Sequence, residues 1–277
     1  MIKHTGISYI EKDTPLHKLT GGAKLLMLLF ISVSAMITFD TRLLIVLAIV
    51  SCSLFAIAKM PIKDMKTIFI IMVLVMIINT VITYLFSPEE GVAIYGTRTV
   101  VAHLFGPFYL TKEQLFFQLN MTIKYFAILP LAMLFFVTTE PSEFASSLNK
   151  IGVNYKIAYA VSLSLRYIPT VLREYNDISQ SQQARGVDIS KNVKITTRLK
   201  NIISILFPLV VTSIDKIDRI SNAMELRSFG MNKKRTWYRN RNFVFADYFV
   251  IVISGLFIVL ALWLNIVNGS RFFNPFV

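Results

Sequence analysis

Five apolar runs constrain this chain more than any other feature: Ala23 to Phe39, Leu43 to Ala58, Thr67 to Phe86, roughly Leu115 to Val137, and Tyr248 to Val267. Each approaches or meets the ~20 residues a helix needs to cross the hydrocarbon core of a bilayer. Lipid offers no partner to backbone amides and carbonyls, so runs of this kind satisfy them internally, as helices. Composition agrees, because 55% of the 277 residues are hydrophobic and 16% charged, against about a quarter charged in ordinary soluble domains. The expected fold is an all-α integral membrane protein with about five transmembrane helices. Met1 to Leu19 is polar and mixed in charge, and no small-residue cleavage site follows the first run, which is therefore expected to stay as a span.

Charge sets the orientation. Lys3, Lys12, Lys18 and Lys24 precede or open the first run and Lys59, Lys63 and Lys66 separate the second from the third, whereas Arg42 alone marks the turn between the first two. Positive residues stay on the cytoplasmic side, which puts the N-terminus there. Four spans then return the chain to the cytoplasm at Thr138, where a long basic segment begins. Glu140 to Phe245 holds 17 Lys and Arg against 8 Asp and Glu, +9 of the net +13. The expected divisions are a four-span region at 1–139, a cytoplasmic coupling domain of three amphipathic helices at 140–245, and a final span at 246–277. Gln118, Asn120, Lys124 and Pro130 in the fourth span predict a tilted or kinked helix packed against protein, and Asn79 does so more mildly in the third. The loop from Ser87 to Lys112 reads as the one long non-helical piece, with a hairpin around Tyr95-Gly96-Thr97 and Phe105-Gly106-Pro107.

Within the basic segment, Thr139-Glu140-Pro141-Ser142-Glu143 opens a short helix that stops at Gly152. A longer helix is expected from Asn154 to Ala184, ending at Gly186. Another is expected from about Asn192 to Arg227, interrupted by Pro208 and closing at Gly230. Both long helices carry apolar residues at helical spacing: Leu165, Ile168, Leu172, Tyr175 and Ile178 in one, Leu206, Leu209, Ser213, Ile217, Ile220 and Met224 in the other. Seven-residue steps from Ile178 and Ile220 carry the stripes to Arg185 and Arg227, so each arginine is expected on an apolar face. Treating both helices as spans would translocate Arg173, Arg185, Lys191, Lys194, Arg198 and Lys200, and is rejected on that ground. The stripes, with Pro169, are the candidate surface for helix packing or for a membrane partner. Lys233-Lys234-Arg235, Arg239-Asn240-Arg241, Trp237 and Tyr238 read as an anchor at the inner headgroups.

Reactive chemistry is missing from the sequence. It has no Gly-x-x-x-x-Gly-Lys loop, no His-Glu-x-x-His, no Gly-x-Ser-x-Gly and no embedded acid pair. Cys52 is the single cysteine, and His4, His17 and His103 have no metal-ligand spacing. The chain therefore reads as a non-catalytic, mechanical part. Either arginine alone could simply complement a helix C-terminal dipole, worth about 0.3–1 kcal/mol. Two, each on an apolar stripe and each followed by a small residue and a nearby glycine, point instead to docking. Ala184 and Gly186 around Arg185, and Leu226 and Ser228 around Arg227, complete the candidate docking sites. Small neighbours let a partner backbone approach a guanidinium fork that bonds carboxylates or carbonyls bidentately.

On these residues the chain resembles the transmembrane T components of energy-coupling factor (ECF) transporters, ABC-type importers of vitamins and transition metals. The likeness is carried by Pro15-Leu16-His17-Lys18-Leu19 with Lys24-Leu25, Glu143-Phe144-Ala145, Ile151-Gly152-Val153, Leu163 to Pro169, Glu174, Gln183-Ala184-Arg185-Gly186, Pro208-Leu209, Ala223 to Gly230, and Arg235-Thr236. The resemblance implies that Arg185 and Arg227 end cytoplasmic coupling helices and dock on two ABC-type ATPase subunits. Those subunits would bind the ATP and Mg, leaving no cofactor or metal in this chain. It also implies a membrane-embedded, substrate-binding S component packed on the apolar stripes, and residence in the cell membrane. The chain departs from the family pattern at Leu226 and Ser228, where the family has Ala and Gly, and at Gly21-Gly22, where it has Asp-Pro. The competing expectation is a membrane-anchored basic scaffold for anionic lipid or nucleic acid. Its affinity would follow total charge and fall steeply with salt, with no privileged arginine. The periodic stripes favour the coupling reading, which involves no nucleic acid.

Overall fold

The computed structural model describes residues 14–58, 62–105, 108–188, 194–232, 236–237 and 241–276. Lys3, His4, Lys12, Lys59, Gly106-Pro107, Lys191, Asn192, Lys233-Lys234-Arg235, Tyr238 and Arg239-Asn240 lie outside the described residues. The chain divides into two compact units, Met1–Glu143 with Arg241–Val277, and Phe144–Asn240. In order the elements are α1 (Pro15–Lys18), α2 (Gly21–Ile37), α3 (Thr41–Ile57), α4 (Ile62–Phe86), α5 (Glu90–Tyr95), β1 (Val100–Phe105), β2 (Phe108–Thr111), α6 (Lys112–Thr138), α7 (Pro141–Lys150), α8 (Tyr155–Ala184), α9 (Ile195–Leu226) and α10 (Phe245–Val267). Among the described residues the fold is all-α apart from the β1–β2 hairpin and one isolated bridge.

In the first unit α6 packs against α2 and α3, and α10 packs on α2. Their apolar runs meet in one core of Met27, Ile31, Ala35, Leu43, Leu44, Leu47, Ala127, Leu131 and Ala261. A second cluster joins Leu16 and Leu19 to Ala58, Leu134 and Val137. Helix ends are capped from the sequence: the Thr20 hydroxyl accepts from the Ala23 amide at 3.4 Å, and the Asp40 carboxylate from the Arg42 amide at 3.0 Å. Such caps satisfy amides that have no intrahelical partner. Asp40 also takes the Asn268 side-chain amide at 2.9 Å, tying the end of α10 to the start of α3.

The polar residues of the fourth apolar run are packed against protein, as expected. Asn120 is fully buried, accepts from the Thr41 hydroxyl at 2.7 Å and donates to the Tyr95 phenol at 3.5 Å. Gln118 donates to the Thr80 carbonyl at 3.3 Å, and the Lys124 ammonium stands 3.1 Å from the centroid of the Phe39 ring. Burial pushes the Tyr95 hydroxyl above its ordinary pKa. The helix is unbroken through Pro130.

The loop from Ser87 to Lys112 contains the expected antiparallel hairpin, with His103 opposite Tyr109, but it is not non-helical. Glu90–Tyr95 forms α5, which ends where Gly96 turns left-handed at φ 71°. The reason lies in close packing onto the start of α6. The Gly91 amide donates to Gln114 Oε1 at 2.7 Å, and a Cβ on Gly91 would sit 2.5 Å from the Glu113 carbonyl. Glu113, fully buried, accepts from the Thr99 amide at 3.0 Å and from the Thr97 hydroxyl at 3.1 Å.

The last residues close over this end of the unit. Phe39 donates its amide to the Arg271 carbonyl at 2.7 Å and pairs with Phe272 as a parallel bridge. Asn274 donates to the Tyr95 carbonyl at 3.1 Å, and the Phe276 ring stands edge-on to Tyr95 and Phe116, each at 5.7 Å.

Among the described residues four helices are long and apolar enough to cross a membrane: Phe69–Phe86 within α4, and α6, α9 and α10; α2 and α3 are shorter apolar helices. The presence of α9 in this set differs from the amphipathic reading. Its apolar stretch from Ile195 to Ile214 raises the mean, while Asp215, Lys216, Asp218, Arg219 and Glu225 crowd its last third. The expected interruption at Pro208 does not occur, for α9 runs through it. Proline removes its own amide from the ladder and crowds the carbonyl four residues back, which strains a long helix without ending it; α8 likewise continues through Pro169.

Candidate functional site at two helix ends

The second unit is built on α8 and α9. Asn154 caps α8 by accepting from the Lys156 amide at 3.0 Å. The two helices touch at three levels. The Asn201 side chain donates to the Asp188 carbonyl at 2.7 Å, Lys216 pairs with Glu174, and Phe229 packs on Tyr155 and Tyr159 with ring centroids 5.8 and 4.8 Å away. Residue numbers rise on one helix as they fall on the other, so the pair is antiparallel. Glu174 lies 11 residues before Arg185, and Lys216 lies 11 before Arg227. At ~1.5 Å per helical residue the two arginines stand roughly 33 Å apart along the pair, at opposite ends.

Both ends are built alike. Arg185 and Arg227 are the C-cap residues, at φ −87° and −92°. The Gly186 amide donates to the Gln183 carbonyl and the Val187 amide to Gln182. Forty-two positions on, Ser228 donates to Glu225 and Phe229 to Met224. This is the Schellman pattern, which requires a left-handed residue just after the cap. Gly186 supplies it at φ 86°, and Ser228 adopts it at φ 56°, the one non-glycine residue with positive φ among those described.

Each helix runs up to the residue before its arginine, and both guanidinium groups stand exposed. Neither makes a hydrogen bond or ion pair with another described residue. Ala184, Gly186 and Ser228 around them are exposed, and Leu226 is 89% exposed. A leucine held almost entirely clear of its own protein, beside an unpaired guanidinium, offers a partner both apolar contact and a planar donor fork.

The packing residues separate into two sets. Leu209 is buried, while Leu165, Tyr175, Ile220 and Met224 are half-buried. Ile168, Pro169, Leu172, Leu206 and Ile217 are exposed, as are Ile203, Phe207, Val210 and Ile214. One part of the predicted stripes is thus buried or half-buried and the other is exposed. Three contributors lay outside the predicted set. Ile205, 0% exposed, is four residues before Leu209 and was legible from that spacing. Phe229 and the Glu174–Lys216 ion pair depend on antiparallel alignment and carry no local signal. Trp237, read as an interface residue, donates its indole N–H to Asn149 at 3.1 Å.

Among the described residues there is no cluster of His, Cys, Asp and Glu that could hold a metal ion.

Comparison with known proteins identifies the family. Residues 12–238 match the model of the CbiQ family, described as cobalt transport protein. The chain is 27% identical over 269 residues to the energy-coupling factor transporter transmembrane protein EcfT of Exiguobacterium sibiricum, covering 92% of this chain and 95% of that one. It is likewise 27% identical to EcfT of Acidaminococcus fermentans, over 91% and 94% of the two chains. With EcfT of Limosilactobacillus fermentum it shares 34% identity over 135 residues, 44% of this chain and 50% of the other. The chain is thus similar along most of its length to transmembrane EcfT proteins of energy-coupling factor transporters, and, with more than three quarters of its residues matched, it belongs to the CbiQ family of transport proteins.

Proposed function

We propose that the chain is the energy-coupling subunit of an ECF-type ABC importer. It passes the motion of two ATPase subunits to a membrane-embedded S component that binds vitamins or related micronutrients. ATP and Mg belong to the ATPases, and this chain performs no chemistry itself. Its second unit and N-terminus face the cytoplasm. The observation that carries the reading is the pair of matched helix ends, each presenting an exposed arginine whose guanidinium pairs with no described residue. Arg185 docks on one ATPase and Arg227 on the other. Each guanidinium meets carboxylate or carbonyl groups, and hydrogen bonds to charged partners contribute about 1.5–3 kcal/mol apiece. The exposed apolar residues of α8 and α9, Ile168, Leu172, Leu206 and Ile217 among them, receive the S component, since clustered exposed apolar side chains mark interaction sites.

The reading predicts that Arg185→Glu combined with Arg227→Glu abolishes co-purification of the ATPases in mild detergent while membrane insertion stays normal. An assembled double variant with undiminished ATP hydrolysis would sink it. If binding instead followed total charge, with Lys150→Glu and Lys156→Glu as damaging as the arginine changes, the basic scaffold would replace it.

A further inference from the structure

The start of α2 is held by carboxylates that come from distant parts of the chain. The Thr20 amide donates to Asp247 Oδ1 at 2.9 Å, and the Gly21 amide to Glu143 Oε1 at 2.8 Å. Asp247 uses its other oxygen to accept from the Val244 amide at 2.9 Å, fixing the first turn of α10. Lys24, 1% exposed, donates its ammonium to the Thr138 carbonyl at the end of α6, also at 2.9 Å. Arg241 donates to the His17 carbonyl at 3.5 Å. Two acids and two bases thus gather around one helix end. The acids sit where unpaired amides and the positive end of the helix dipole favour them.

Their places in the chain give this cluster its meaning. The chain leaves the first unit after Glu143 and re-enters it at Arg241. Glu143 lies in the first turn of α7, whose later residues, from Phe144 on, belong to the second unit, and Asp247 lies six residues after the re-entry. Both passages are therefore tied to the start of α2 by side chains at or beside them. We infer that Glu143 and Asp247 are positioning residues for coupling. They clamp the outgoing and returning chain to one helix end, so that displacement of the second unit reaches α2, α6 and α10 and is not absorbed in slack connections. The inference rests on the energy-coupling reading above.

The test uses the full chain with its ATPases in lipid nanodiscs. Spin labels are placed on Cys52, in the first unit, and on a Gln180→Cys substitution in the second; both positions are exposed. A non-hydrolysable ATP analogue should shift the label distance in the parent chain. Glu143→Ala and Asp247→Ala should each at least halve that shift while the ATPases still co-purify. Glu143→Gln and Asp247→Asn, which keep an acceptor oxygen, should retain most of it. Hydrogen exchange over residues 19–24, followed by mass spectrometry, should quicken at least tenfold in the alanine variants. An unchanged shift in assembled alanine variants, or unchanged exchange, overturns the inference and leaves the energy-coupling reading standing. A parent chain that captures no ATPase, or shows no nucleotide-driven shift, overturns that reading and the inference with it.

Discussion

Ser228 occupies a conformation that suits glycine. At φ 56° it fills the left-handed position that Gly186 fills at the matching helix end, and for an L-residue with a Cβ this costs about 1–2 kcal/mol. Ser228→Gly should therefore raise stability by about 1 kcal/mol, and Gly186→Ala should lower it by about as much. The midpoint of thermal unfolding in detergent, followed by circular dichroism, measures both; a destabilised Ser228→Gly protein would show that the hydroxyl holds the turn. The sequence alone marks Ser228 as the odd member of the two motifs, because it stands where Gly186 stands in the first. It does not reveal that the backbone keeps the glycine conformation regardless. Nor does periodicity reveal that Arg185 and Arg227 are caps, since a stripe counted in sevens assumes the helix continues.

At the level of elements, the two long helices of the second unit were legible almost to the residue. Asn154 caps α8 where predicted, and Gly186 and Gly230 turn left-handed just past the ends of α8 and α9. Pro208 misled, because the loss of one amide and the crowding of one carbonyl need not end a long helix; α8 likewise runs through the exposed Pro169. The stripes divide, some of their residues being buried or half-buried and others exposed. That division is testable. Ile205→Ala, at a fully buried position, should cost about 2–4 kcal/mol. Ile217→Ala, at a position 62% exposed, should stay within about 0.5 kcal/mol in the isolated chain. Equal losses in thermal unfolding would contradict the division.

On the scale of the whole molecule, hydropathy and charge were enough to recognise a membrane protein. The contacts that close its first unit were not readable, because they join residues more than two hundred positions apart. Phe39 with Arg271 and Phe272, and Asp40 with Asn268, are of this kind. Ending the chain at Ser270 would remove the Phe39 pairing and the Phe276 ring contacts. The expected loss is roughly 2–3 kcal/mol, seen as a lower unfolding midpoint and freer hydrogen exchange in α5; an unchanged midpoint would show the tail to be dispensable. The ion pair between Glu174 and Lys216 has a consequence of another sort. Because Glu174 lies 11 positions before Arg185 and Lys216 lies 11 before Arg227, it marks the middle of the pair, with each arginine about 16 Å away along its helix. A partner that grips both ends meets a spacer that is symmetrical about its centre, and moving the ion pair one turn along both helices would make the two distances unequal.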